Sequence, residues 1–334
     1  MEIETMSLSE WGENLPASGF DVFHTEEALA VLDEHTSAEL RLYGGFKGSQ
    51  PVALLPVFVR RNAVGRAVFS PPPSLGVPYL GPIATPNSPK QRKQEKVNRE
   101  FTQEVLERLS ADSSRTLLRF VCSTDFLDPR PYQWRDMQIS PEFTYELNLS
   151  DISADDLLSS FSKSLRREIR KRDELDLTIG VEGMDAAQTI HENVEDRYAE
   201  QDESFAFSWP YVRDLLEAVD DRSRVYVARG PDGEYLNGVV VLYSNDAAIY
   251  WLGGARSDYE NVSVNSLLQW RILEDIIEDP ELDSVHRYDL LGANTERLCR
   301  YKSKFGGELV PYYRIESGGA GMDLAKAAYR VVSR

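Results

Sequence analysis

Three apolar runs stand close together in the second half of the chain: RVYVAR (224–229), LNGVVVLYS (236–244) and AAIYWLGGA (247–255). The links between them, GPDGEY and ND, are turn residues too few to hold a helix, so the runs read as a meander of strands. A helical pattern follows, SVNSLLQWRILEDIIED (263–279), with Asn261 or Ser263 as N-cap. HRYDLLGA (286–293) then reads as a further strand. A meander, a helix and a returning strand restrict this half to a mixed α/β fold, because a strand–helix–strand unit is a crossover and a tight-turn meander is antiparallel.

The first half offers the same kinds of piece. ELRLYGGFKGSQPVALLPVFVRR (39–61) is a hairpin around a Gly-rich turn. GRAVFSPPPSLGVPYLGPIAT (65–85), rich in Pro and Gly, is expected to be an extended loop with short edge segments. Val97, Phe101, Val105, Leu106 and Leu109 recur at helical spacing across 90–111. TLLRFVCS (116–123) and FTYELNLS (143–150) are strands. In the second half, residues 152–175 read as a helix pair or one broken helix, and 186–201 and 209–221 as two more helices. LVPYYRIE closes the second half as a strand, and MDLAKAAYRVVSR is a short terminal helix. At 334 residues two domains are the default. The expected division is an N-terminal domain at 1–142, a C-terminal domain at 143–316 and a tail helix at 317–334.

Composition narrows the function classes. Sixteen Tyr, 13 Phe and 5 Trp are ample for packed cores, and no run of about 18 apolar residues could span a membrane. The N-terminus MEIETMSLSEWGENL is too acidic for a signal peptide. Cys122 and Cys299 lack a C-x-x-C partner, and His24, His35, His191 and His286 lack ligand spacing. These features predict no metal and a reducing, cytoplasmic setting. The net charge is −18, from 37 Lys+Arg against 55 Asp+Glu, and only nine of the bases are Lys. Acid excess with scarce lysine predicts a halophilic protein whose carboxylate surface stays hydrated in molar salt. The same balance argues against DNA as a partner. No P-loop, dinucleotide fingerprint or G-x-S-x-G elbow is present.

Against that acidic background two basic clusters stand out. Lys163, Arg166, Arg167, Arg170 and Lys171 recur on one helical face, while Phe161, Leu165 and Ile169 line another. Such a face is either solvated and paired with the acidic surface or a site for an anion such as a diphosphate, which Arg forks match. The second cluster, RLCRYKSKFGG (297–307), follows YDLLGAN, in which Asp289 ends a strand and Gly292 permits a close turn. It is either a surface turn or a site, and two of the nine lysines fall there within three positions.

FSKSLRREIRK (161–171), YWLGGA (250–255), NSLLQWRIL (265–273) and YDLLGA…RYKSKFG (288–306) together resemble the GNAT-superfamily acyltransferases in their duplicated, Fem-type form. In outline the resemblance extends over about 40–316. It implies two tandem GNAT-like mixed α/β domains around a shared cleft. It also implies an enzyme that moves an acyl or aminoacyl group onto an amine, expected to be that of an amino sugar in a nucleotide- or lipid-linked glycan precursor. Lys302, with Lys304 as second choice, would stabilise the oxyanion, and Asp289 would orient or deprotonate the amine. Arg166, Arg167, Arg170 and Lys163 would hold the acceptor's phosphates. Tyr79, Trp209 and Tyr211 would line the cleft. The usual Q/R-x-x-G-x-G/A cradle for coenzyme A is missing, which leaves both acyl-CoA and aminoacyl-tRNA open as donor. The tail admits at most peripheral membrane contact. The alternatives are a tRNA-dependent aminoacyl transferase and a binder that keeps the fold without the chemistry.

Overall fold

The structure, a computed structural model, describes residues 1–318 apart from 64, 86–87, 203–204, 206 and 254–256. The expected tail helix lies, from residue 319 on, outside the described residues. No helix among the described residues is long and apolar enough to cross a membrane.

The chain forms two compact units. The first takes residues 1–142 and the segment from Pro311. In order it contains β1 (Glu2–Met6), α1 (Leu8–Asn14), α2 (Glu26–Glu34), β2 (Glu39–Lys47), β3 (Gln50–Asn62), β4 (Gly65–Ser70), β5 (Ile83–Ala84), α3 (Gln91–Arg108), β6 (Thr116–Val121) and α4 (Arg130–Gln133). β7 (Gln138–Asn148) leads into the second unit, Phe143–Val310. That unit holds α5 (Ala154–Ser160), α6 (Lys163–Ile169), β8 (Thr178–Glu182), α7 (Met184–Ala199), α8 (Trp209–Ala218), β9 (Ser223–Arg229), β10 (Tyr235–Tyr243), β11 (Ala247–Gly253), β12 (Asp258–Tyr259), β13 (Val262–Ser263), α9 (Val264–Glu278), β14 (Arg287–Asp289) and α10 (Glu296–Lys302). β15 (Glu308–Glu316) begins there and ends in the first unit.

Each unit builds its sheet on one plan. The first runs β1-β2-β3-β4-β6-β15, antiparallel except for the parallel pair β4–β6 that α3 connects. The second runs β8-β9-β10-β11-β14-β7, antiparallel except for the parallel pair β11–β14 that α9 connects. Two helices follow the first strand in both. The fold is thus two tandem GNAT-like mixed α/β domains, each with its own core. Phe101, Val105, Leu118 and Phe120 centre the first, and Leu165, Leu268, Ile272, Tyr288 and Phe305 the second.

Two features depart from the sequence-based expectation. GRAVFS, expected as part of a loop, is an interior strand: Arg66–Ser70 pairs with Thr116–Phe120 on one side, and Phe58–Asn62 with Gly65–Phe69 on the other. The prolines that argued against a strand begin only after Ser70. Residues 311–316, grouped by sequence with the second half, pack in the first unit, because Arg314–Glu316 pairs antiparallel with Arg119–Val121 and Ile315 is fully buried there.

Candidate active site

The geometry that marks a site is the parting of two parallel strands in the second unit. β11 and β14 stay in register for three pairs, Ala247–Arg287, Ala248–Tyr288 and Ile249–Asp289. β11 then continues to Gly253 along β10. The chain after Asp289 follows β7 instead: Leu290 N donates to Tyr145 O at 3.0 Å and Ala293 N to Phe143 O at 2.7 Å. Leu291 and Gly292 turn through positive φ, 51° and 60°. In sheets of this kind ligands bind beyond the carboxyl ends of parallel strands, where the backbone is unpaired. In the first unit the corresponding place is closed. After five pairs of β4 with β6, Leu80 bridges Cys122, and Gly81 N donates to Ser70 Oγ at 2.9 Å. Tyr79, expected on a cleft wall, is buried here edge-on to Tyr312, 4.8 Å between centroids.

Lys302, at the end of α10, reaches the fork in the second unit. Its Nζ donates to Gly292 O at 2.9 Å and lies 6.0 Å from the centre of the Tyr250 ring, the first β11 residue past the paired stretch. Only 6% of the residue is exposed. Burial pushes its pKa down to about 8, and the Asp289 charge opposes that fall. Burial also pushes the Tyr250 phenol up to about 12. The ammonium is thus poorly solvated and close to titration, the state in which a cation gains most by meeting a developing anion.

Asp289 is buried and engaged. Its Oδ1 accepts from Thr144 Oγ1 at 2.5 Å and from Leu291 N at 2.7 Å. The carboxylate so fixes the turn that carries Gly292, and through it the Lys302 contact. Lys304 is half-buried in the following 3-10 turn, on which Gly306 ends with φ 70°.

The two basic clusters meet. Ser162 N, at the start of α6, donates to Lys304 O at 2.8 Å, and Phe161 packs edge-on against Phe305 at 5.4 Å. Leu165 and Ile169 are buried. The helix is short: it ends at Ile169, and Arg170 is its C-cap. Lys163, Ser164, Arg166, Arg167, Arg170, Lys171 and Glu174 line a groove of about 850 Å³. Arg166 Nη1 also donates to Ser159 O at 3.2 Å. Among the described residues none of the five groove cations forms an ion pair, whereas neighbouring Arg172 is tied to Glu274 at 2.5 Å. In so acidic a chain, unpaired bases lining one groove suit an anionic ligand.

Trp209 and Tyr211 belong to an aromatic cluster on α7, α8 and β11. Trp209 lies 5.8 Å from His191, and Tyr211, fully buried, lies 6.5 Å from Trp251. Sequence reading assigned no role to Tyr250, Tyr301 or Asn265. Asn265 Nδ2 donates to the Tyr301 hydroxyl at 2.8 Å, joining the start of α9 to the residue before Lys302. Their only signal was membership of three matching runs, YWLGGA, NSLLQWRIL and RYKSKFG. Among the described residues no group of three or more His, Cys, Asp or Glu is placed to hold a metal ion.

Comparison with known proteins agrees with this plan. Residues 159–303 match the acetyltransferase (GNAT) domain family. No curated protein sequence matches the chain. Among solved structures it is similar to FemX over the whole of both chains, at 10% identity and a TM-score of 0.69. It is also similar to the C-terminal domain of a putative lysylphosphatidylglycerol synthetase from Agrobacterium fabrum, at 13% identity and a TM-score of 0.54, covering 92% of this chain and 96% of that one. A tandem GNAT protein from the clavulanic acid biosynthesis pathway gives 11% identity and a TM-score of 0.53, covering 96% and 99%. At such identities the structural likeness is one of fold, and the domain match carries the family. The fork and the buried lysine thus lie within the stretch that matches the acetyltransferase (GNAT) domain family, in a chain that shares its fold with FemX and a tandem GNAT protein.

Proposed function

We propose that the chain transfers an acyl or aminoacyl group to the amine of an amino sugar carried on a nucleotide- or lipid-linked precursor. The observation that carries this reading is Lys302, a buried ammonium at the open end of two parallel strands. The amine attacks the donor carbonyl directly, so a C–N bond forms and the carbonyl electrons move to oxygen beside Lys302. Collapse of that intermediate expels the carrier's sulfur or oxygen, which takes up the proton lost by the amine. No enzyme nucleophile is needed, and alignment of the two substrates supplies much of the acceleration. Asp289 acts through the turn it holds. Arg166, Arg167, Arg170 and Lys163 hold the acceptor's phosphates, and their unpaired state supports that role.

The donor is acyl-CoA or aminoacyl-tRNA. A matrix assay separates them: thiol release from acetyl-CoA, and loss of label from aminoacyl-tRNA, each against a panel of free and nucleotide-linked amino sugars. Transfer from either donor to an amino sugar supports the proposal. Absence of transfer in every combination, with nucleotide-sugar binding retained, would leave the chain a binder that keeps the fold.

A further inference from the structure

α9 is polar where a packed helix is usually apolar. It buries Leu267, Leu268, Ile272 and Leu273, and with them Gln269, which is 0% exposed. Asn265 and Gln269 are four apart, so their side chains share a face one turn apart. Each amide uses one end on a tyrosine. Asn265 Nδ2 donates to Tyr301, and the Tyr288 hydroxyl donates to Gln269 Oε1 at 2.7 Å. The other ends, Asn265 Oδ1 and Gln269 Nε2, are buried and meet no hydrogen-bond partner among the described residues. A buried polar group left so costs about 1–3 kcal/mol, and native cores keep few of them.

The location gives the pair a meaning. Tyr301 precedes Lys302, Tyr288 precedes Asp289, and Tyr250 at the fork interacts with Asn265. One open end accepts and the other donates. An ammonium would satisfy the acceptor and leave the donor unpaired, and a carboxylate would do the reverse. A hydroxyl or a neutral amide satisfies both.

We infer that Asn265 and Gln269 are specificity residues that hold a neutral hydroxyl or amide on the acyl group being transferred. The inference rests on Lys302 marking the reacting carbonyl. A plain hydrocarbon acyl group would leave both ends unpaired, and a site built to bond a hydroxyl discriminates strongly against an analogue that lacks it.

The probes are N-acetylcysteamine thioesters, which carry no nucleotide, used with the full chain: glycolyl against acetyl, and 3-hydroxypropionyl against propionyl. In at least one pair the hydroxyl-bearing thioester should bind tenfold or more tightly and shift the side-chain amide NMR signal of Gln269. Gln269→Leu should bring both members of that pair within about twofold, because it removes the open donor end. Equal binding within both pairs, an unmoved Gln269 signal with every probe, or a tenfold preference kept in Gln269→Leu would overturn the inference. Thiol release to glucosamine that needs Lys302 but ignores the hydroxyl would overturn it while leaving the transfer reading intact.

Discussion

Replacing Lys302 with Met keeps the stem and removes the charge, and the structure gives the change two opposite signatures. The first is kinetic. If the ammonium stabilises the oxyanion, kcat falls by about a hundredfold, equivalent to about 3 kcal/mol, with KM little changed. The second is thermodynamic. Burial lowers the folded-state pKa of Lys302 from 10.5 to about 8. Below pH 8 the charged group therefore opposes folding by about 3 kcal/mol, and that cost fades as pH rises from 8 towards 10.5. Loss of the bond to Gly292 O offsets about 1 kcal/mol of the gain. The variant should then be more stable by about 2 kcal/mol at pH 7, a rise of a few degrees in Tm, and the difference should vanish by pH 10. Wild-type kcat at saturating amine should fall about tenfold between pH 7 and pH 9, following the loss of the cation. A kcat that rises through pH 8 would make Lys302 a base, and a variant that melts lower at pH 7 would refute the account of its burial. Lys304→Met, at a half-buried position, should change kcat much less.

Three further outcomes are expected. Arg166→Ala with Arg170→Ala should weaken nucleotide-sugar binding several-fold in calorimetry with an unchanged circular dichroism spectrum. Each charged bond contributes roughly 1.5–3 kcal/mol, and less where solvent reaches it. Gly306→Ala should destabilise the chain by more than about 1 kcal/mol in urea, because φ is 70° and the added carbon would lie 2.9 Å from Ser160 O. We further propose, from 55 acidic against 37 basic residues, that folding needs molar salt, so the unfolding midpoint should rise steeply between 0.1 and 2 M KCl.

The fold was legible where pattern and packing agree. The 3.6-residue spacing of Val97, Phe101 and Val105 marks α3 to within a few residues of its ends. The tight links between β9, β10 and β11 mark the meander. β4 was hidden because its downstream prolines coloured the whole stretch. HRYDLLGA read as a long strand because Leu290, Leu291 and Ala293 continue its apolar run, yet only Arg287–Asp289 pairs with neighbours on both sides before Leu291 turns. The site was legible in its charges and illegible in its partners. Lysine scarcity singled out Lys302, but Thr144, which takes the Asp289 carboxylate, lies 145 residues away. Asn265 and Gln269 look like ordinary helix surface until α9 is packed on its sheet.

The exchange of closing strands bears on the order in which the chain is completed during synthesis. The second unit, Phe143–Val310, is one continuous stretch and has all its residues before the last strand is finished. The first unit begins at Met1, yet β6 lacks its outer neighbour until Arg314–Glu316 emerge. The later-made unit is therefore the first that can close, and the earlier-made one must wait with an open sheet edge, a template for unwanted pairing. Chains stopped after Val310 should keep the second unit's core intact and aggregate through the first.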